Sequence, residues 1–313
     1  MKYDLIGDIH GHAAELKALL RKMDYEEVEG VWQHPTRKTI FIGDYIDRGP
    51  AIRETLHIVR EMVKADRAIA LMGNHEYNAL AYAYELPDGS FLRRHNDKNN
   101  KQHEATLKQF EHDKEDWLSF LEWFYTLPLY VELPGFRAIH ACWDDEHIKW
   151  LKKQGISTMN KDFLLASHEQ GSHGHRVIEE LLKGKELAIP EDYAWEDKDG
   201  HKRKENRIRW WVDTSACYGE FLFDCPPQML AQQIDSEIKL VVYPKDAPPV
   251  FFGHYWMKDH SIAIQSANVV CLDYSIAKEG SLVAYRWNGE QEVRDENFVV
   301  VKYGKEEHKR VFN

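Results

Sequence analysis

Five short segments carry residues whose types suit one kind of chemistry. GDIHGH (7–12) offers Asp8 and His10, and GDYIDRGP (43–50) offers Asp44, Asp47 and Arg48. GNHE (73–76) offers Asn74 and His75, HAC (140–142) offers His140, and GH (253–254) offers His254. Carboxylates and imidazoles with an amide oxygen suit a hard-to-borderline divalent metal such as Mn, Fe or Zn. The donors suffice for two ions. Two ions in one site lie roughly 3.5–4 Å apart and need a shared group, and a carboxylate gives one oxygen to each. Each segment alone has an ordinary reading. Asp-x-His can cap a turn, GNHE can start a helix capped by Asn74, and a lone His140 or His254 can sit in a core or rim. All five in this order, each closing an apolar run, point to a single site.

The elements that must hold these residues follow from periodicity. YDLIG (3–7), TIFIG (39–43) and AIALMG (68–73) are short apolar runs closing on glycine, and each predicts a strand. Leu16, Leu19, Leu20 and Met23 recur at helical spacing within 13–23, and the stretch after Pro50 repeats the pattern. The order β-α-β-α-β predicts an α/β sheet whose polar loops converge at the C-terminal ends of the strands. FRAIHA (136–141) and PVFFGH (249–254) add two more such units, and VVCLDYS, SLVAYRW and NFVVVKY predict a β-rich close. In WLSFLEWF (117–124), Trp117, Phe120, Leu121 and Phe124 form a core-facing stripe. Residues 93–116 are dense in charge and histidine and predict an exposed helical excursion. The pattern is less regular between Trp143 and Pro248. No internal repeat or low-complexity linker interrupts the chain.

Composition bounds the rest. The 313 residues suffice for one large α/β domain, and 43% apolar with 30% charged content is that of a soluble globular chain. A net charge of −11 argues against binding nucleic acid along a whole surface, though a locally positive pocket or contact with an RNA end stays open. Cys142, Cys217, Cys225 and Cys271 make no C-x-x-C pair, which predicts a reducing, cytoplasmic setting. The N-terminus does not read as a signal peptide, and no apolar stretch approaches a membrane span.

GDIHG, GDYIDRG and GNHE together resemble the signature of calcineurin-like metallophosphoesterases, in the branch of phosphoprotein phosphatases and bacterial diadenosine-tetraphosphatase-like enzymes. HAC and GHYW are looser matches to that family's later histidine motifs. Residues 270–287 resemble its closing segment, with Tyr274-Ser275 where Thr-Gly is usual. His12 also departs from what usually follows DIHG. The resemblance covers about 1–142 and 249–290. It implies a central β-sandwich flanked by α-helices, in a single domain over 1–313 with an insertion or cap at about 143–248.

The resemblance also implies roles. Asp8, His10 and Asp44 would hold one metal, Asp44 would bridge, and Asn74, His140 and His254 would complete the other. Mn is the first candidate, with Fe, Zn or Ni as others. A metal-bridging hydroxide would attack phosphorus in line, with no phosphoenzyme. His75 would protonate the leaving oxygen, Asp47 would position His75, and Arg48 would grip phosphate. A second phosphate-binding arginine is expected from NRIRWW (206–211), where strand alternation puts Arg207 and Arg209 on one face; Arg209 is favoured.

Two substrate classes compete: a phosphomonoester, on a protein or a small molecule, and a dinucleoside polyphosphate. Trp210, Trp211 or Trp256 beside the site would favour the second by stacking a base. A non-catalytic phosphate-binding module would lack a ligand or the acid, and none is missing here. Other features read more simply. SHEQGSHGH (167–175) is expected as a polar loop, Cys142 as a buried small residue, and the basic tract 197–209 as a solvated loop with anion contact as its alternative.

Overall fold

The computed structural model describes residues 1–189, 195–196, 202–203, 205–212, 217–234, 242–258 and 261–304. β1 (Lys2–Ile6) leads through α1 (Ala13–Lys22) and the ribbon β2 (Glu26–Val28) and β3 (Val31–Gln33) to β4 (Arg37–Phe41). α2 (Ile52–Lys64), β5 (Ala68–Ala70), α3 (Asn74–Ala83), α4 (Asp97–Gln109) and α5 (Lys114–Phe124) follow. Next come β6 (Tyr130–Leu133), β7 (Phe136–Ile139), α6 (Asp145–Gln154), α7 (Lys161–His168) and α8 (His173–Lys183). Short elements succeed them: β8 (Glu186–Ala188), β9 (Trp195–Glu196), β10 (Lys202–Arg203), β11 (Glu205–Arg207) and α9 (Tyr218–Phe221). The chain closes on β12 (Val250–Phe252), β13 (Val269–Cys271), β14 (Asp273–Tyr274), β15 (Ser281–Trp287) and β16 (Phe298–Lys302).

Two sheets face each other. In the larger, β5, β4 and β1 run parallel and β15 joins β1 antiparallel, with β14 and β16 also on β15. In the smaller, β7, β12 and β13 run parallel and β6 pairs antiparallel with β7. Alternation along each strand feeds two apolar layers. Leu5, Ile40, Val283 and Tyr285 from one sheet meet Phe136, Ala138, Phe251 and Val270 from the other. Their neighbours Ile6, Phe41, Ala284, Ile139 and Phe252 face the helices instead. A fully buried side chain of this size contributes roughly 1.5–3 kcal/mol, so the two layers lock the strand ends in register. This is the β-sandwich flanked by helices that the sequence led us to expect.

Far from the strands' C-terminal ends, buried Asp4 ties three strands together. Arg37 Nε lies 2.8 Å from both of its carboxylate oxygens, and Tyr25 donates to it at 3.0 Å. Arg37 also donates to the carbonyls of Tyr3 and Trp287.

Two regions differ from the reading of the sequence. The excursion at 93–116 does contain a helix, α4, but its His103 and Thr106 are buried. The polar loop at 167–175 is largely the end of α7 and the start of α8, joined by a short turn. Ile148, Leu151, Leu164, Val177 and Leu181, from the irregular stretch after Trp143, join the same core as Phe41. Residues 197–201 and 204 of the basic tract lie outside the described residues.

Candidate active site

Every candidate ligand sits just beyond a strand. Asp8 and His10 follow β1, Asp44 follows β4, Asn74 and His75 open α3 after β5, His140 follows β7, and His254 follows β12. The loops meet closely enough to demand glycine at two points. A Cβ on Gly73 would lie 2.2 Å from Asp44 Oδ1, and one on Gly253 would lie 2.0 Å from Asp8 Oδ1. The backbone is also forced. His10, Asp44, Asp47, Arg48 and His254 all take left-handed φ values, between 47° and 74°. Such conformations cost roughly 1–3 kcal/mol each and persist only where surroundings over-determine them.

Asp44 stands at the centre. Its Oδ2 lies 3.6 Å from His10 Nε2, and its Oδ1 lies 3.4 Å from His140 Nε2. One oxygen therefore faces each side, and Asp44 is common to two clusters whose donor atoms lie close enough to hold an ion: His10 and Asp44, with His75 beside them, and Asp44, His140 and His254. Asn74 Oδ1 is 3.0 Å from His140 Nε2, and Asp8 accepts the His254 backbone N–H at 3.1 Å.

The imidazole tautomers test whether cations fit here. His10 Nδ1 donates to the Ile46 carbonyl and His140 Nδ1 to the Ile42 carbonyl, each at 2.9 Å. In a neutral ring that leaves Nε2 as a lone pair, and both Nε2 atoms are turned toward Asp44. Burial, with His75 nearby, lowers the His10 pKa to about 4, so its ring is neutral at pH 7. A lone pair facing a carboxylate oxygen is repulsive unless a cation lies between them. His10 Nε2 and both ring nitrogens of His254 have no other partner among the described residues. The donors fit two divalent cations.

A family model described as calcineurin-like phosphoesterase matches residues 1–254. The chain belongs to the calcineurin-like phosphoesterase family. It is 27% identical over 304 residues to "Bis(5'-nucleosyl)-tetraphosphatase, symmetrical" of Vibrio parahaemolyticus, covering 92% of this chain and 96% of that protein. It is 32% identical over 145 residues to "Bis(5'-nucleosyl)-tetraphosphatase PrpE [asymmetrical]" of Oceanobacillus iheyensis, covering 45% of this chain. The matched stretch spans about half, 55%, of the length of that relative. A crystal structure of a "putative diadenosine tetraphosphatase" superimposes with a TM-score of 0.47 at 14% identity, covering 96% of this chain and 93% of that one.

In this calcineurin-like phosphoesterase a second constellation adjoins the candidate metal ligands. His75 Nδ1 donates to Asp47 Oδ2 at 2.5 Å, and His75 Nε2 lies 3.9 Å from Asp44 Oδ2. Burial alone lowers the His75 pKa, but Asp44 and then Asp47 outweigh it, so the pKa is raised. Burial pushes Asp47 up, yet the hydrogen bonds from His103 and His75 bring it well below the usual carboxylate range.

The arginines and tryptophans separate by position. Arg48 is exposed at the rim, with its guanidinium carbon 5.7 Å from the Trp256 ring centre. Arg207 donates to the His254 carbonyl at 3.3 Å and, after burial, is the largest cause lowering the His254 pKa. Arg209, favoured from the sequence, turns elsewhere and donates to the carbonyls of Gly219, Glu220 and Phe223. Trp210 is buried and Trp211 packs on Phe252 and Tyr255, so only Trp256 of the three tryptophans stands beside a rim cation at the site.

Four residues that carry the site escaped the sequence reading. Glu76 accepts the backbone N–H groups of Asp44, Tyr45 and Gly73 and so shapes the turn after β4; burial pushes its pKa up to about 7. Asp273 accepts the N–H groups of Trp256 and Ser275 and raises the Asp8 pKa after burial itself. His103 and Thr106 of α4 both hydrogen-bond Asp47. Glu76 sits inside GNHE and Asp273 inside VCLDYS, so position in a motif could have found them. Nothing in the sequence of α4 pairs it with Asp47.

Cys142 is buried and burial raises its pKa, which disfavours the reactive thiolate. Asp144, His147 and Glu180 also form a metal-sized group, but Lys185 Nζ pairs with Asp144 and lies 3.7 Å from Glu180, which balances the charge. Among the described residues, His168, His173 and His175 join no such group.

Proposed function

We propose that this chain is a two-metal phosphohydrolase that cleaves phosphomonoesters. The observation that carries the reading is His75, held by Asp47 with its Nε2 turned toward the carboxylate shared by both metal groups. Protonation matters most when the leaving oxygen is a poor one, as in an alkyl monoester. Asp8, His10 and Asp44 would hold one cation and Asp44, Asn74, His140 and His254 the other. Bound cations would lower the pKa of water and neutralise phosphoryl oxygens. The mixed nitrogen and oxygen donors suit Mn first, then Fe, Zn or Ni.

The chain's own residues do the rest. Asp47 accepts from His75 Nδ1–H, so the protonated ring presents its second proton at Nε2. Arg48 meets the phosphate at the rim with a planar fork. Arg207 enters from the segment 143–248, which we take to shape access. Four free cysteines fit a reducing, cytoplasmic setting.

A second reading is a dinucleoside polyphosphate substrate. Trp256 lies half-buried between Arg48 and Lys278, whose Nζ is 3.8 Å from its ring centre, a setting suited to a base and an anionic chain. The names of the two curated relatives point the same way. An activity panel with Mn supplied tests both, setting p-nitrophenyl phosphate and phosphopeptides beside diadenosine tetraphosphate. Turnover of the monoesters alone supports the first reading and of the tetraphosphate alone the second. No turnover with metals bound overturns both.

Arg207→Ala should weaken inhibition by inorganic phosphate by roughly 10-fold or more, the worth of a charge-assisted hydrogen bond. Arg209→Ala should leave phosphate inhibition within about 3-fold while lowering thermal stability, because it releases three carbonyls around α9. The reverse ranking in inhibition constants would transfer the role to Arg209.

A further inference from the structure

His103, Thr106 and Gln109 recur at every third residue of α4 and so share a face. All three reach the turn that carries Asp47 and Arg48. His103 Nδ1 donates to Asp47 Oδ1 at 2.9 Å. Thr106 Oγ1 donates to the same oxygen at 2.6 Å and accepts the backbone N–H of Asp47 at 3.0 Å. Gln109 Oε1 accepts the Ile52 N–H at 2.6 Å, and its Nε2 donates to the Gly49 carbonyl at 3.1 Å. Asp47 and Arg48 both have left-handed backbone, which L residues seldom adopt unaided.

We propose that this face of α4 positions the leaving-group acid: His103 and Thr106 fix the Asp47 carboxylate, and Gln109 holds the turn behind it. With Oδ1 taken by two donors, only Oδ2 is left for His75 Nδ1–H. That fixes the ring plane and aims Nε2 at the reacting phosphoryl group. A carboxylate held only by His75 could rotate about its own axis and carry the imidazole with it. Asp47, His103 and Thr106 are all buried, which limits competition from bulk water for these bonds. The inference rests on His75 acting as the acid. His103 and Thr106 touch neither substrate nor metal ligand in this account and act through Asp47.

The test compares leaving groups. An alkyl phosphate needs a proton on its departing oxygen, whereas 2,4-dinitrophenyl phosphate departs as a stable anion and does not. Thr106→Val and His103→Leu should lower kcat for the alkyl ester by roughly 10- to 100-fold while changing the dinitrophenyl ester by less than about 3-fold. Thr106→Ser should restore the alkyl rate. Equal losses on both esters, or no loss on either, would overturn the proposal. Proton NMR gives a readout that needs no turnover: the downfield resonance of the His75 N–H facing Asp47 should move in Thr106→Val and return in Thr106→Ser. An unmoved resonance counts against the brace. Thermal unfolding identifies any variant that fails to fold, in which case the other variant decides. Wild-type protein inactive on both esters would refute the proposed function, while the resonance would still decide the role of α4.

Discussion

Asp44→Asn should empty both metal sites together. Wild-type protein saturated with Mn is expected to hold two ions per chain by metal analysis, and the variant less than one. The reason is the division of labour between two oxygens 3.6 Å and 3.4 Å from imidazoles on opposite sides. Asparagine keeps one acceptor oxygen, replaces the other with an NH₂ donor, and removes a negative charge from between two cations. Outer-shell changes around a metal typically cost about 10–100-fold in affinity, and a shared ligand should cost more. The loss should extend to His140 and His75, whose pKa values Asp44 helps to raise. Two ions still bound at full occupancy would show that Asp44 is not the bridge.

His75→Asn should separate chemistry from metal binding. Both ions stay, and hydrolysis of an alkyl phosphate slows by roughly 10²–10⁴-fold. A full rate in metal-replete protein would remove His75 from its role. The pH profile supplies the sign. A proton donor works while protonated, so the rate falls as pH rises through the His75 pKa, which lies above its ordinary value of 6.5. Asp47→Asn takes away one of the three carboxylates, with Asp44 and Glu76, that raise it. The alkaline limb should therefore move to lower pH, and an unmoved limb in Asp47→Asn would contradict the dyad.

Much of the site was legible because parallel strands deliver their loops to one end. Asp8, Asp44 and Asn74 each follow an apolar run, so strand direction alone brings them together. The roles of Asp44 and Asp47 were harder to part, since only Tyr45 and Ile46 separate them; left-handed backbone at both aspartates turns their carboxylates apart. Arg207 and Arg209 part company for a definite reason. Alternation assumes a continuing strand, but β11 ends at Arg207. Ile208 then bridges to Leu222, and the Arg209 N–H bonds to the Phe221 carbonyl, which turns its side chain to α9. The face of α4 was illegible for another reason. A histidine and a threonine in a charged amphipathic helix look solvated until the partner they bury against is known.

The turn from Asp44 to Arg48 is gripped at both ends, by Glu76 at its start and by α4 at its finish. In the proposed function, metal ligation, acid positioning and phosphate contact would share one short piece of backbone. Substitutions in it should not sum. A double-mutant cycle between Thr106 and Glu76, whose side chains meet different ends of the turn, is the natural measure of that cooperativity. A coupling energy well above zero would make the turn a single mechanical unit, and additivity would show its two ends to be independent.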